Sequence, residues 1–348
     1  MAWHTARVWP FSNKKKQPSV DEKIETFWAW WIQQSDRFAA EIDAGNAVEL
    51  ADEIGIHVSE VEQGLAWELG PGVDSKHHLC LSAEGDAEQR VLTQRWLSRA
   101  PKADETWEYY PARQPVPDPL DRAIVFDDIE VLFSEFQIVT DTDDVRARVN
   151  IGVWHPAWPK FDEGLRGVAC FVALDNVLGE DDVESWIGAV DRLDEPPAES
   201  VSMRDLKTTV AELRDNLGDN VGTILQGETE GGYPVFVAAN LTVKRIDHLL
   251  FDTHYQITIA IKQPGEEGLG SEEERDELND MEHQLDDLLG NDAVNIAHET
   301  LEGRRVIHLH ASAVGPVAER IHRWKKQWSH DILVDAHLDP AWEILNKW

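Results

Sequence analysis

Two histidines alternate with apolar residues in a short stretch near the end of the chain. His308 and His310 are interleaved with Ile307, Leu309 and Ala311. Because successive side chains of a strand point to opposite faces, both imidazoles leave the sheet on the side away from the apolar residues. Two histidines spaced in this way on a strand are typical of zinc ligands.

Two other strand-like segments carry polar residues that the same alternation places on the polar side. These residues are Asp335, His337, Gln256 and Thr258. Together with His308 and His310 they predict an open, polar sheet face with three histidines and an aspartate. We interpret these six residues as a binding surface. A face covered by solvent or by a partner and a metal site remain open as alternatives, because they depend on the strand order.

No short motif of a known enzyme class accompanies these residues. The sequence has no G-x-S-x-G nucleophile elbow, no Walker phosphate loop, no H-E-x-x-H pair and no dinucleotide fingerprint. The sequence therefore predicts no cofactor and assigns no catalytic residue.

The charge of the chain restricts the kind of partner it can bind. Asp and Glu number 66 against 32 Lys and Arg among 348 residues, a formal net charge of -34. Such a field repels phosphate backbones and anionic membranes and attracts basic proteins. We expect a basic protein as partner, and neither nucleic acid nor a membrane. Solubility or salt adaptation would explain the same composition, and the oligomeric state stays open.

Cysteine content and hydropathy indicate the compartment. The two cysteines, Cys80 and Cys170, are far apart in the chain, which does not fit a disulfide framework. No apolar run approaches the roughly 18 residues of a membrane span, and residues 1–19 lack the apolar centre of a signal peptide. We therefore expect a cytoplasmic protein.

Hydrophobic periodicity predicts an α+β protein of two domains. Residues 1–20 form a flexible basic leader, residues 21–198 an N-terminal domain and residues 205–348 a C-terminal domain, with the Pro-rich acidic stretch 195–200 between the domains. In the N-terminal domain, the pattern predicts helices at 21–43, 47–63, 87–99, 165–178 and 182–193, and strands at 65–69, 78–83, 107–110, 129–139 and 145–153.

The C-terminal domain has the clearer pattern, in the order β-β-α-β-β-α-β. Strands are predicted at 235–243, 255–261, 294–300, 305–311 and 332–338, and helices between residues 271 and 290 and at 317–328. Each domain is then a mostly antiparallel sheet with helices on one face.

Two motifs of the C-terminal part resemble a known bacterial family, the "domain of unknown function 695" family. They are a T-x-x-G-x-R hairpin, here Thr300, Gly303 and Arg305, and a closing D-P-x-W, here Asp339, Pro340 and Trp342. The resemblance covers roughly residues 205–348 and extends upstream through short motifs such as FWAWW. The chain departs from the family in "VIHLHAS", where histidines replace the expected aromatic residues.

The resemblance implies a fold and no established activity. The family domain is similar to that of the regulator of ribonuclease activity B, an acidic inhibitor with a ferredoxin-like fold, which implies the same fold and a regulatory role here. The sequence thus favours a non-enzymatic, acidic, protein-binding or regulatory module. The alternative is a metal-assisted hydrolase that uses the histidine-bearing sheet face.

Overall fold

The secondary structure is known from a computed structural model that describes residues 18–126, 128–218 and 222–348. Residues 1–17 of the predicted leader, which spans residues 1–20, lie outside the described residues. The helices are α1 Val20–Asp43, α2 Ala51–Val61, α3 Ala87–Ser98, α4 Glu163–Leu178, α5 Glu180–Trp186, α6 Met203–Asn216, α7 Glu272–Leu289 and α8 Val317–Lys325. Within the described ranges, no helix is both long enough and apolar enough to cross a bilayer.

The strands of the described residues form four sheets, of three, two, three and six strands. The strands are β1 Ala66–Pro71, β2 His77–Ser82, β3 Trp107–Tyr110, β4 Ala123–Phe126, β5 Ile129–Leu132, β6 Gln137–Asp143, β7 Arg148–Trp154, β8 Ile187–Arg192, β9 Thr223–Glu228, β10 Pro234–Ala239, β11 Thr253–Ala260, β12 Ala293–Leu301, β13 Arg304–Ala311 and β14 Ile332–Leu338. The protein is therefore α+β, as the sequence predicts.

Helix α1 begins at a capping box and buries an aromatic stripe. The Ser19 hydroxyl accepts a hydrogen bond from the Glu22 N–H, and the Glu22 carboxylate accepts one from the Ser19 N–H. On the buried side of the helix, Trp28 stacks on Trp96 of α3 with ring centroids 4.4 Å apart. This packing holds α3 beside the sheet β1-β2-β3, in which β2 and β3 are parallel.

Two predicted elements of the N-terminal half are wrong in detail. The predicted strand 129–139 is interrupted by a 3-10 turn at Phe133–Glu135, so β5 pairs with β4 and β6 pairs with β7. The predicted helix 182–193 ends at Trp186, and Ile187–Arg192 forms β8, parallel to β7. Hydrogen bonding to β7 outweighs the local helical pattern here, since propensity is only a weak prior.

The described residues of the N-terminal half form three small sheets, and not the single mostly antiparallel sheet that we predict from the sequence. Helix α6 begins near the predicted domain boundary but packs on the N-terminal side. Its Met203, Leu206 and Val210 are buried in the cluster that contains Val149 and Val153 of β7. The division at residues 195–205 stays a prediction, and the packing of α6 favours a division after this helix.

The six-stranded sheet has the order β14-β11-β13-β12-β10-β9, and every neighbouring pair is antiparallel. It contains the predicted C-terminal strands and one more, the edge strand β9. One face of the sheet, with Ile257, Ile307 and Leu309, is buried under α7 and α8. Glu302 and Gly303 close the β12–β13 hairpin with φ of 45° and 77°, the left-handed pair that a two-residue turn requires.

Polar contacts join the two halves of the molecule around the other face of this sheet. The buried Lys244 Nζ donates to the Ala147 carbonyl at 2.8 Å. The Arg95 guanidinium of α3 lies 2.8 Å from the Asp252 carboxylate, just before β11. The first turn of α3 and the end of β14 border a common cleft.

Candidate metal centre

The histidines of the polar sheet face lie on three neighbouring strands, with β11 in the middle. His254 of β11 is directly opposite His310 of β13 and also opposite His337 of β14. One step along the strands, Gln256 is opposite His308. Because residues directly opposite each other have side chains on the same face, the register brings the four histidines together.

The part of this face that carries His308 and His310 is covered by the chain itself, and is not open as the sequence predicts. The segment 339–348, which follows β14, lies across it. Trp342 stacks on His310 with ring centroids 4.4 Å apart, and Trp348 and His308 form an edge-to-face pair with centroids 5.5 Å apart. His308 and His310 are consequently only 1% and 0% exposed. Alternation identifies the side on which a residue lies, but not what covers that side.

Three of the histidines, His337, His254 and His308, form a row of neighbouring rings that ends at the carboxylate of Glu299. His308 Nε2 lies 3.0 Å from the Glu299 carboxylate of β12, and His308 Nδ1 lies 3.0 Å from His254 Nε2. The other nitrogen of His254, Nδ1, lies 3.4 Å from His337 Nε2. His308 and His254 thus have both ring nitrogens directed at a carboxylate or at a neighbouring ring, and His337 has its Nε2 directed at His254.

The fourth histidine is paired separately. His310 Nε2 lies 3.2 Å from the Asp339 carboxylate, which also accepts a hydrogen bond from the Glu343 N–H at 2.9 Å. The buried His310 Nδ1 has no hydrogen-bond partner among the described residues. Asp339 is therefore oriented from two sides beside the rings of His254 and His310.

Burial lowers the pKa of His254 and His310, and hydrogen bonds keep the pKa of Glu299 and Asp339 low in spite of burial. Burial, reinforced by the neighbouring histidines, lowers the pKa of His254 to about 3. Burial alone would raise the pKa of Glu299, but hydrogen bonds from His308 and Lys347 lower it to about 2. At neutral pH, His254 keeps a free lone pair and Glu299 keeps its negative charge.

Three groups of the cluster converge as metal ligands. One ligand atom each from His254, His337 and Asp339 lies within 4.8 Å of the other two. Two nitrogens bound to one tetrahedral zinc at about 2.0–2.1 Å are about 3.3 Å apart, and His254 Nδ1 and His337 Nε2 are 3.4 Å apart. The two imidazoles are therefore placed as zinc ligands are.

The converging groups border the cleft between α3 and β14. This cleft has a volume of about 740 Å³, and His254, His337, Asp339, Glu88 and Lys347 are among its lining residues. His337 is exposed at the cleft, whereas His254 is 3% exposed. A metal held by this set would have protein on one side and the cleft on the other.

The structure separates the six residues that the sequence groups together. His308, His310 and His337 lie in the cluster, and Gln256 lines the cleft. Thr258 is half-buried one pair of residues further along β11, and Asp335 is exposed.

Two residues of the cluster are missing from the sequence analysis, although a signal for each exists. His254, Gln256 and Thr258 are spaced two residues apart in one strand and therefore share a face. Because we assign Gln256 and Thr258 to the polar side, the same rule places His254 on that side. Glu299 shares a face of β12 with Ala297, two residues earlier. Its contact with His308, however, requires β12 to pair with β13.

The two family motifs have separate structural roles. In the hairpin motif, Arg305 donates to the Thr300 hydroxyl at 3.2 Å and to the Asn279 side chain of α7 at 2.6 Å, which ties the hairpin to the helix layer. In the closing motif, Asp339 and Trp342 both contact His310. The second motif is therefore part of the histidine cluster.

One family model matches part of the chain. Neither a curated protein nor a solved structure matches the chain. The upstream extension of the resemblance, through motifs such as FWAWW, lies outside the one matching segment. Residues 229–347, which include every residue of the histidine cluster, match the model of a family described as "Family of unknown function (DUF695)", and this confirms the family resemblance of the C-terminal part.

Proposed function

We propose that this protein binds a divalent transition metal, with zinc as the best match, through His254, His337 and Asp339, and that it is a metal-assisted hydrolase. The observation that carries the proposal is the 3.4 Å separation of His254 Nδ1 and His337 Nε2, with the Asp339 carboxylate beside them. Imidazole and carboxylate donors together suit zinc and its neighbours in the first transition series.

The number of ligands supports a catalytic site over a structural one. Structural zinc sites have four protein ligands, whereas catalytic sites have three and keep one position for water or substrate. Here three ligands border a cleft of about 740 Å³. A metal in such a site lowers the pKa of bound water and supplies a hydroxide nucleophile at neutral pH.

Residues of this chain supply the remaining needs of a hydrolytic site. Glu88 and Glu343 line the cleft and are exposed, so either carboxylate is available to accept a proton from water. Lys347 lines the same wall and carries a positive charge that stabilises a developing oxyanion.

Metal titration of the purified full chain tests the proposal. After treatment with a chelator, we expect one equivalent of zinc to bind by calorimetry. Cobalt substitution should give the visible absorption of a four- or five-coordinate site. His337→Ala should abolish stoichiometric binding, because it removes an exposed ligand without opening the core. Hydrolysis of chromogenic esters and phosphoesters should then depend on added metal.

The matched control is His322→Ala, which removes another exposed histidine, located on α8. It should bind zinc as the wild type does. Equal zinc binding by the wild type and by His337→Ala, or no stoichiometric binding at all, would contradict the metal site. Binding without metal-dependent hydrolysis would contradict only the enzymatic part.

A second candidate is the binding of a basic partner by the acidic surface. The exposed side of α7 supports it, since Glu272, Glu273, Asp276, Asp280 and Asp287 are exposed there against one exposed arginine of this helix, Arg275. The strand order β14-β11-β13-β12, with α7 and α8 on one face, supports a ferredoxin-like core and the analogy with an acidic regulator. Free, buried Cys80 and Cys170 support a reducing cytoplasm.

Salt dependence tests this second candidate. An affinity purification from a lysate at low ionic strength should recover a basic protein, and its association should slow steeply as salt increases. A complex that is insensitive to salt, or tight binding of nucleic acid at physiological salt, would contradict it.

A further inference from the structure

The geometry points to Glu299 and His308 as positioning residues that fix the tautomer of His254, so that His254 binds metal through Nδ1. This inference rests on the metal site proposed above and adds two residues that contact no metal ligand atom of that set. It depends on three distances: 3.0 Å from Glu299 to His308, 3.0 Å from His308 to His254, and 3.4 Å from His254 to His337.

The carboxylate of Glu299 determines the donor and the acceptor in each hydrogen bond of this row of imidazoles. Glu299 is ionised, because its carboxylate pairs with the Lys347 ammonium. An ionised carboxylate only accepts hydrogen bonds, so His308 Nε2 must carry the proton in their contact. In a neutral imidazole the other nitrogen is then an acceptor, and His308 Nδ1 faces His254.

The tautomer of His254 follows from that of His308. His254 Nε2 must donate to His308 Nδ1, because two lone pairs do not attract each other at 3.0 Å. The only proton of neutral His254 is thereby placed on Nε2. Its Nδ1 keeps a lone pair, and this nitrogen is the one that faces His337 Nε2.

Burial makes this arrangement rigid. The exposed fractions of His254, His308 and Glu299 are 3%, 1% and 6%, so water does not compete for their hydrogen bonds. Metal-ligating histidines commonly donate their second N–H to a group that orients the ring, and loss of such a group costs about 10- to 100-fold in metal affinity. In this chain the orienting group is a second imidazole, which is itself oriented by Glu299.

Nitrogen NMR of the metal-free protein tests the tautomer without any metal. Two-bond proton–nitrogen spectra distinguish protonated from unprotonated ring nitrogens, and the spectrum of a His254→Asn variant identifies the His254 signals. We expect His254 to be protonated at Nε2. Protonation at Nδ1, which would follow if His308 were cationic and donated to His254, would overturn the inference.

Zinc titration of Glu299 variants tests the consequence for binding. Glu299→Leu removes the acceptor, so zinc affinity should fall about 10- to 100-fold and the His254 spectrum should show both tautomers. Glu299→Gln keeps an oxygen that accepts from His308 Nε2 and should retain most of the affinity. If Glu299→Leu does not fold, His308→Phe, which keeps a ring at this position, should show the same loss.

Leu345→Ala is the matched control, because Leu345 belongs to the covering segment and packs in the apolar cluster that contains Trp342, away from the proposed ligands. It should bind zinc like the wild type. A loss equal to that of Glu299→Leu would show that loosening of the segment is responsible, and would overturn the inference. Unchanged zinc affinity in Glu299→Leu would overturn it too, while leaving the metal site intact. A wild type that binds no zinc would contradict the metal site, and the NMR result would still decide the tautomer.

Discussion

Two polar clusters lie on either side of Ala341, which lines the cleft beside each of them. In the ionic cluster, three guanidinium groups each have a carboxylate partner. The pairs are Arg90 with Asp181 at 2.7 Å, Arg113 with Glu84 at 2.8 Å and Arg245 with Glu184 at 2.6 Å. In the histidine cluster, by contrast, ring nitrogens face other ring nitrogens.

This difference in partners indicates that the ionic cluster stabilises the structure, whereas the histidine cluster leaves nitrogen lone pairs available to a ligand. Arginine and carboxylate complete each other, since one only donates and the other only accepts. Imidazole nitrogens do not complete each other in this way, because each contact needs one proton and one lone pair. At the end of this row of rings, His254 Nδ1 and His337 Nε2 meet beside a carboxylate, and the metal that we propose would satisfy both lone pairs.

The largest effect on the histidine cluster is expected from removal of its apolar cover. Trp342 is 1% exposed, stacks on His310 and donates from Nε1 to the Phe251 carbonyl at 2.8 Å. Trp342→Ala should lower the free energy of unfolding by about 3–5 kcal/mol. Urea denaturation measures this change. A loss below about 1 kcal/mol would mean that the indole does not cover the cluster in solution.

The sequence predicts the sides of the sheet better than it predicts their surroundings. Strand alternation correctly separates His308 and His310 from Ile307 and Leu309, because this rule depends only on the backbone. The cover of the histidines depends on the path of the chain after Pro340, for which the sequence carries no periodic signal.

The N-terminal half also shows that local sequence patterns do not predict contacts between distant segments. Residues 187–192 continue a helical pattern in the sequence, yet they form β8, because hydrogen bonds to β7 are available only in the folded chain. Pairings between distant segments likewise determine the role of Glu299, whose contact with His308 requires β12 to lie next to β13. Local patterns therefore predict elements and faces, whereas partners across strands need the structure.

A smaller effect is expected from breaking the ionic cluster, and it should leave metal binding unchanged. Arg90 is 5% exposed and pairs with Asp181. Arg90→Met should cost about 1–3 kcal/mol of stability, since Asp181 then lacks its charged partner, and zinc titration should match the wild type. Arg323→Met, at an exposed pair on α8, should change stability by less than about 0.5 kcal/mol. Weaker zinc binding in Arg90→Met would contradict the independence of the two clusters.

The pH dependence of stability sharpens the comparison further. Burial, with the charge of Glu180 acting in the same direction, raises the pKa of Asp175 beside the ionic cluster to about 7 from 3.8. The folded state then keeps a proton that the unfolded chain loses above about pH 4, so stability falls between pH 4 and pH 7. Asp175→Asn should be more stable than the wild type by at least about 1 kcal/mol at pH 8, and equally stable near pH 4. An equal gain at both pH values, by urea denaturation, would contradict this assignment.

The smallest effect is expected at Asp335, and it tests where the histidine cluster ends. Alternation places Asp335 on the polar face, opposite Gln256 of β11, yet the residue is exposed and is not one of the three converging ligands. Asp335→Asn keeps the shape of the side chain and removes its charge. It should change the free energy of unfolding by less than about 0.5 kcal/mol and leave the zinc affinity equal to that of the wild type. His337, two residues further along the same strand, is the contrasting position, since His337→Ala should abolish stoichiometric binding. A tenfold loss of zinc affinity in Asp335→Asn would mean that this carboxylate reaches the metal, and that the ligand set extends along β14.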